Sequence, residues 1–218
     1  MRIACVGYRE WALNIYDKLA KSTDHTFLIF RSKAQFSIEA LDDFRPDLVL
    51  FYGWSWLITS DLLKRHTCLM LHPSPLPRYR GGSPIQNQII AGETTSKVTL
   101  FVMTDELDAG DLVGQMDLSL TGALSDIFKR IEDAGVELTM RIFQHGLQRM
   151  PQDHSIATYC KRRTPSDSQI TFEELVSQSA EYLYNKIRML AAPYPSAYIL
   201  TADGKRLIIT EAHIERED

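Results

Sequence analysis

Two side chains, an imidazole and a carboxylate, offer this chain its chemistry. His72 ends an apolar run and opens the loop His72-Pro73-Ser74-Pro75-Leu76-Pro77-Arg78-Tyr79-Arg80-Gly81. Prolines at 73, 75 and 77 fix φ and remove backbone donors, so the loop is stiff and is neither helix nor central strand. In an open parallel sheet, ligands bind outside the carboxyl ends of the strands, and the end of an apolar run puts His72 there. Asp108 lies in the turn-like Leu107-Asp108-Ala109-Gly110-Asp111 after the next strand, and is expected beside His72 at the same sheet edge. A carboxylate next to an imidazole fixes its tautomer and favours its protonated form, which makes a general acid–base pair. The plainer alternatives are a histidine that caps a strand and an Asp-Gly turn.

The elements that must position this pair alternate along the chain. Residues 3–7, 26–30, 47–52 and 68–71 are predicted strands, the last of which delivers His72, and 47–52 is apolar enough to be buried on both faces. Residues 10–19, 38–44 and 62–66 are predicted helices, the first with Trp11, Ile15 and Leu19 on one face, the second stopping before Pro46. Such alternation predicts an α/β fold, a Rossmann-like doubly wound, mostly parallel sheet. Gly7 alone makes no Gly-x-Gly-x-x-Gly fingerprint, so a nicotinamide cofactor has little support.

Further on, 85–91 reads as a helix, 98–102 and 112–118 as strands, and 124–147 as a long amphipathic helix packed across the sheet. Gly135 in that helix would let two elements approach closely. Residues 170–190 read as helical. Runs 197–200 and 206–214 flank Asp203-Gly204, a strong hairpin signal. Residues 1–158 are expected to form the catalytic domain and 159–218 a C-terminal extension with helix and β-hairpin, ending in a frayed polar tail from 215 to 218.

Composition sets the bounds. The chain has 218 residues, 44% hydrophobic and 24% charged, as in soluble globular proteins. A net charge of -4 argues against a broad nucleic-acid surface, although Lys161-Arg162-Arg163 is a local basic run. No stretch reads as a membrane span or a signal peptide. Cys5, Cys68 and Cys160 form no Cys-x-x-Cys pair, so no metal site or disulfide framework is expected, and reduced thiols fit a cytoplasmic location.

The pattern His72-x-Ser74-x-Leu76-Pro77-x-x-Arg80-Gly81, followed by Pro84, Gly92, Val98-Thr99, Asp108-Ala109-Gly110-Asp111 and Gln115, resembles the formyltransferase family that uses N10-formyltetrahydrofolate. That family's motif reads Asn-x-His-x-Ser-x-Leu-Pro-x-x-Arg-Gly, then Asp-x-Gly-Asp. The resemblance implies His72 as the acid–base group, Asp108 as the carboxylate that tunes it, and N10-formyltetrahydrofolate as formyl donor. The family's asparagine is Met70 here. A thioether cannot donate, so one oxyanion donor is missing, a loss that typically costs about 2.7–4 kcal/mol in transition-state stabilisation.

The resemblance also implies a folate pocket at Ser55, Trp56 and Leu57 and at Thr104, Asp105, Glu106 and Leu107. It implies acceptor contacts at Ser74, Pro75, Arg80, Tyr159, Arg162 and Tyr194. By themselves Trp54 and Trp56 read as cover for the core. The segment Tyr159-Cys160-Lys161-Arg162-Arg163-Thr164-Pro165-Ser166-Asp167 is similar to a family segment near the acceptor. Within the family the chain looks most like the branch acting on a nucleotide-linked amino-dideoxy sugar, such as the UDP-linked 4-amino-4,6-dideoxy sugars of pseudaminic acid pathways. A homodimer is expected by analogy. The alternatives are a non-catalytic folate- or nucleotide-sugar-binding homologue, marked by Met70, and an enzyme for another small amine such as glycinamide ribonucleotide.

Overall fold

The computed structural model describes residues 1–215; beyond Glu215 the polar tail lies outside the described residues. The first part is β1 (Arg2–Val6), α1 (Glu10–Ser22), β2 (Thr26–Phe30), α2 (Ile38–Phe44), β3 (Leu48–Tyr52), α3 (Ser60–Arg65) and β4 (Cys68–His72). Then come β5 (Arg80–Gly81), α4 (Pro84–Ile90), β6 (Thr95–Val102), β7 (Leu112–Ser119) and α5 (Leu124–His145). The rest is β8 (Tyr159–Cys160), α6 (Phe172–Ser177), α7 (Ala180–Arg188), β9 (Ala197–Leu200) and β10 (Arg206–Ile209).

A six-stranded sheet of order β2-β1-β3-β4-β6-β7 is parallel from β2 to β4. The doubly wound, mostly parallel α/β architecture is therefore present. β3 shows why helices cover both faces. Leu48, Leu50 and Tyr52 face the core under α1 and α5, while Val49 and Phe51 face the core with Leu41 of α2 and Leu62 of α3. Gly135 does allow a close approach, since a Cβ there would stand 2.5 Å from Ile15 Cδ1 and 3.0 Å from Leu71 Cδ2.

A polar chain crosses the larger core. The Tyr16 hydroxyl lies 3.0 Å from the Val6 carbonyl and 2.8 Å from that of Leu50, and accepts from Tyr52 N–H at 2.7 Å. Thr139 Oγ1 donates to the Gly135 carbonyl, leaving the Tyr52 hydroxyl to donate to Thr139 at 2.9 Å. Burial pushes both phenols up, so both keep their protons. Tyr16→Phe strips Tyr52 N–H of its partner in a place water does not reach. It is expected to lower unfolding free energy by about 1–3 kcal/mol, read from urea denaturation.

β6 runs antiparallel to both β4 and β7, a direction that periodicity does not report. Two expectations are corrected. Residues 170–190 are two helices, because Ser179 accepts from Tyr182 N–H and so caps a second start after α6 ends at Ser177. The second hairpin strand stops at Ile209, short of 214.

The two helices are tied by Lys186, which is 4% exposed and donates to Glu174 and to the Gln169 carbonyl, both at 2.6 Å. Burial raises the Glu174 carboxyl, but the Lys186 ammonium, Thr171 N–H and Tyr182 hydroxyl together hold it below its usual 4.5. Its folded-state value is depressed, so its contribution to stability is present above 4.5 and is lost as pH falls through the folded value. Glu174→Gln should therefore be less stable than the native chain at pH 7, with the gap in melting temperature closing below pH 4.5.

Candidate active site

His72 is the last residue of β4, and its side chain lies on the sheet face that carries Met70 and Phe101, with its ring 6.5 Å from that of Phe101. The proline-rich loop after it has few backbone donors, so side chains hold its carbonyls. Gln88 Nε2 donates to Pro73, Thr99 Oγ1 to Ser74 at 2.6 Å, and Gln115 Nε2 to Leu76 at 3.0 Å. The loop returns to the histidine. His72 Nε2 lies 2.9 Å from the carbonyl of Tyr79, a residue held at φ 59°.

A carbonyl only accepts, so Nε2 carries the hydrogen and the free lone pair of neutral His72 is on Nδ1. That nitrogen is 3.7 Å from Asp108 Oδ2, and the two side chains are 7% and 8% exposed. The tautomer is thus fixed by the Tyr79 carbonyl rather than by Asp108, as the sequence had implied. Asp108 acts through its charge, poised to stabilise a proton arriving at Nδ1.

Asp108 reaches this place by an unexpected route. His72 pairs with Thr99 and Leu69 with Val102, so β6 ends beside the start of β4, at the opposite end from His72. The segment 103–111 returns across the sheet face, and Asp108 Oδ2 accepts from Gly81 N–H at 2.7 Å. Asp108 thus does stand beside His72, as expected, and only the path of the chain between them differs. Asp108 sits at φ 50°, a conformation that Asp tolerates better than most residues.

The segment is held by Gln152, whose Nε2 donates to the carbonyls of Asp108 and Gly110 at 2.9 and 2.6 Å. Gln152 Oε1 accepts in turn from Arg80 at 2.6 Å. Arg80 is 1% exposed and also reaches the Tyr159 hydroxyl at 3.1 Å. Arg80 is thus a strut for the Asp108 segment and not a wall of the cavity.

A cavity of about 780 Å³ opens over His72 and Asp108. Ser55, Trp56 and Leu57 line it, as do Met70, the run Thr104, Asp105, Glu106 and Leu107, and Arg162 and Tyr194. Ser74, Pro75, Arg80 and Tyr159 do not. The Ser74 side chain is fully buried and donates to the Arg78 carbonyl at 2.9 Å. Tyr159 lines a second cavity of about 520 Å³ with Arg78 and Lys161. Cys160, Arg162 and Arg163 line both, so the two spaces adjoin. Among the described residues, no group of three His, Cys, Asp or Glu is placed to hold a metal ion, and no helix is long and apolar enough to cross a membrane.

Two cavity residues were missed in the sequence. Arg9 lies between the rings of Tyr8 and Tyr194, at 4.8 and 5.4 Å from their centroids. It lies in the short turn between β1 and α1, three residues after the strand ends at Val6, so the strand-end rule that picked out His72 pointed to this turn as well. Gln86, on the first turn of α4, carried no such signal.

The family model described as formyl transferase matches residues 12–143, and the chain belongs to the formyl transferase family. That family consists of enzymes that take a formyl group from N10-formyltetrahydrofolate. The methionyl-tRNA formyltransferase of Halalkalibacterium halodurans is 32% identical over 171 residues, 75% of this chain and 52% of that protein. The chain thus spans about half the length of this curated relative. The solved methionyl-tRNA formyltransferase from Clostridium thermocellum is 28% identical with a TM-score of 0.89, covering 99% of this chain and 94% of that one. A sugar N-formyltransferase from a Shewanella species shares the fold at 16% identity and a TM-score of 0.76, covering 99% of both.

Proposed function

We propose that this chain transfers the formyl group of N10-formyltetrahydrofolate to the primary amine of a small phosphate-bearing acceptor, of the nucleotide-linked amino-dideoxy sugar class. The observation that carries the formyl transfer is the buried pair of His72 Nδ1 and Asp108 Oδ2 at 3.7 Å, lining a cavity of about 780 Å³. The neutral amine attacks the formyl carbon, the tetrahedral centre collapses, and the bond to N10 breaks. His72 Nδ1 takes the proton the amine loses and returns it to N10 of the leaving tetrahydrofolate. Asp108 balances the transient imidazolium.

Exposed apolar side chains at the cavity suit a flat folate ring, with Trp56 36%, Leu57 97% and Leu107 55% exposed. The acceptor class is supported by charge. The chain is acidic overall. Arg9, Arg162 and Arg163 line the main cavity together with Asp105, Glu106 and Asp108, and the adjoining one adds Arg78 and Lys161 beside Asp167. The cations gathered where the two spaces adjoin suit the phosphates of a small molecule better than an extended polyanion. A cytoplasmic setting and a homodimer remain part of this proposal, as does a boundary near residue 158 between catalytic domain and extension.

A second reading takes methionyl-tRNA as acceptor, favoured by the names of the sequence relatives. Competition separates the two. With a panel of dTDP- and UDP-linked amino sugars and charged initiator tRNA, the proposal expects formylation of a sugar and none of the tRNA. Formylation of the tRNA alone would establish the second reading.

A further inference from the structure

The cavity contains donors that nothing among the described residues accepts from. Trp54 Nε1, Gln86 Nε2 and Arg163 Nε are buried and without a hydrogen-bond partner among the described residues. All three side chains line the space that holds His72. Buried donors without acceptors are rare in native structures and call for an explanation.

Gln86 is the most telling of the three. It is 2% exposed and stands at the start of α4, just after the Gly81-Gly82-Ser83-Pro84 turn that shares the cavity wall with His72. Holding α4 in place does not require it, because Gln88 does that work. Gln88 Nε2 donates to the Pro73 and Pro84 carbonyls, each at 2.9 Å, and its Oε1 accepts from Ser96 at 2.5 Å. Trp54 is fixed within the aromatic core, and Arg163 is occupied with the Asp167 carbonyl. Gln86 alone combines a free neutral amide with near-complete burial. The same cavity wall has Met70, a side chain with no donor, where an oxyanion donor would be expected.

We propose that Gln86 supplies the hydrogen bond to the formyl oxygen that Met70 cannot give. The proposal rests on the formyl-transfer reading above. As the acceptor nitrogen bonds to the formyl carbon, the carbonyl π pair moves onto oxygen, and the Gln86 amide N–H donates to that anion. Collapse restores the carbonyl, breaks the carbon–N10 bond and releases tetrahydrofolate protonated through His72. Gln86 keeps its own protons throughout and acts only by stabilising charge.

The test uses the full chain in two measurements. Gln86→Leu keeps side-chain volume and removes the donor; its kcat should fall about 10²- to 10³-fold, with KM for either substrate changed far less. Adding Met70→Asn to that variant should recover at least tenfold of the lost kcat, and more than the same change gains in the native chain, which a structural role for Gln86 would not give. The second measurement needs no turnover. A hydrolysis-resistant 10-formyl folate analogue, carbon-13 labelled at the formyl carbon, should show its carbonyl stretch at lower frequency on the native protein than on Gln86→Leu. Failure of the native protein to bind the analogue overturns the formyl-transfer reading, and this proposal with it. Binding with no difference in the stretch, a Gln86→Leu kcat within threefold of native, or no rescue by Met70→Asn overturns the proposal for Gln86 alone.

Discussion

His72→Asn lowers kcat for formyl transfer by about 10²- to 10⁴-fold, the share that a positioned acid–base group supplies. Asparagine ends about where Nδ1 stood and does not reach the Tyr79 carbonyl, which His72 Nε2 bonds at 2.9 Å. Gln88, Thr99 and Gln115 still hold the loop, which should keep its shape, while the basic Nδ1 and the imidazolium facing Asp108 are gone. Folate affinity and melting temperature should stay close to native. A kcat within tenfold of native would remove His72 from the proton path.

Gly110→Ala is expected to cause the second-largest loss, from a residue with no functional group. A Cβ there would lie 1.8 Å from the Val102 carbonyl oxygen, so the backbone must move. It is clamped on both sides. The Gly110 carbonyl accepts from Gln152, and the Asp111 carbonyl accepts from Val102 N–H at 2.8 Å. Any displacement passes to Asp108, two residues away. A misplacement of about 1 Å can cost about 10²-fold in rate, and overpacking costs about 1–3 kcal/mol in stability. Gly92→Ala is the comparison. It sits at φ +84° with nothing within 4 Å of an added Cβ, so it should lose stability by backbone strain of about 1–2 kcal/mol and keep its kcat. Equal kcat losses in the two variants would show that general destabilisation, and not the position of Asp108, is responsible.

These residues show how far the sequence could be read. Strand ends and helix stops that depend on local chemistry were legible. Thr26–Phe30 and Ile38–Phe44 fell where apolar spacing and Pro46 put them, and His72 stands at the end of its strand. The antiparallel β6 was not legible, because an apolar run has the same pattern whichever way it enters the sheet. The meeting of His72 and Asp108 was anticipated; the path of the chain between them was not, since direction decides which end of β4 the following segment leaves from. The Arg80–Gln152–Asp108 strut joins three distant stretches through side chains. Arg80 therefore looked like a substrate contact, when its place in the motif reflects a buried structural role in this fold. Gln86 was invisible for a related reason, because a glutamine becomes notable only when its partners are seen to be absent.

In the proposed reaction a formyl group passes from the folate to an amine in this cavity, although Met70 stands in place of a donor. The most direct measurement follows the group itself. N10-formyltetrahydrofolate labelled with carbon-13 in the formyl carbon is incubated with the native protein and the amino-sugar nucleotide panel, and products are read by mass spectrometry, with His72→Asn run in parallel. The label is expected in an N-formyl product from the native protein and is expected to be almost absent from that of the variant. Folate binding with no labelled product from any amine offered, charged tRNA included, would contradict it and leave a protein that binds folate without transferring its formyl group.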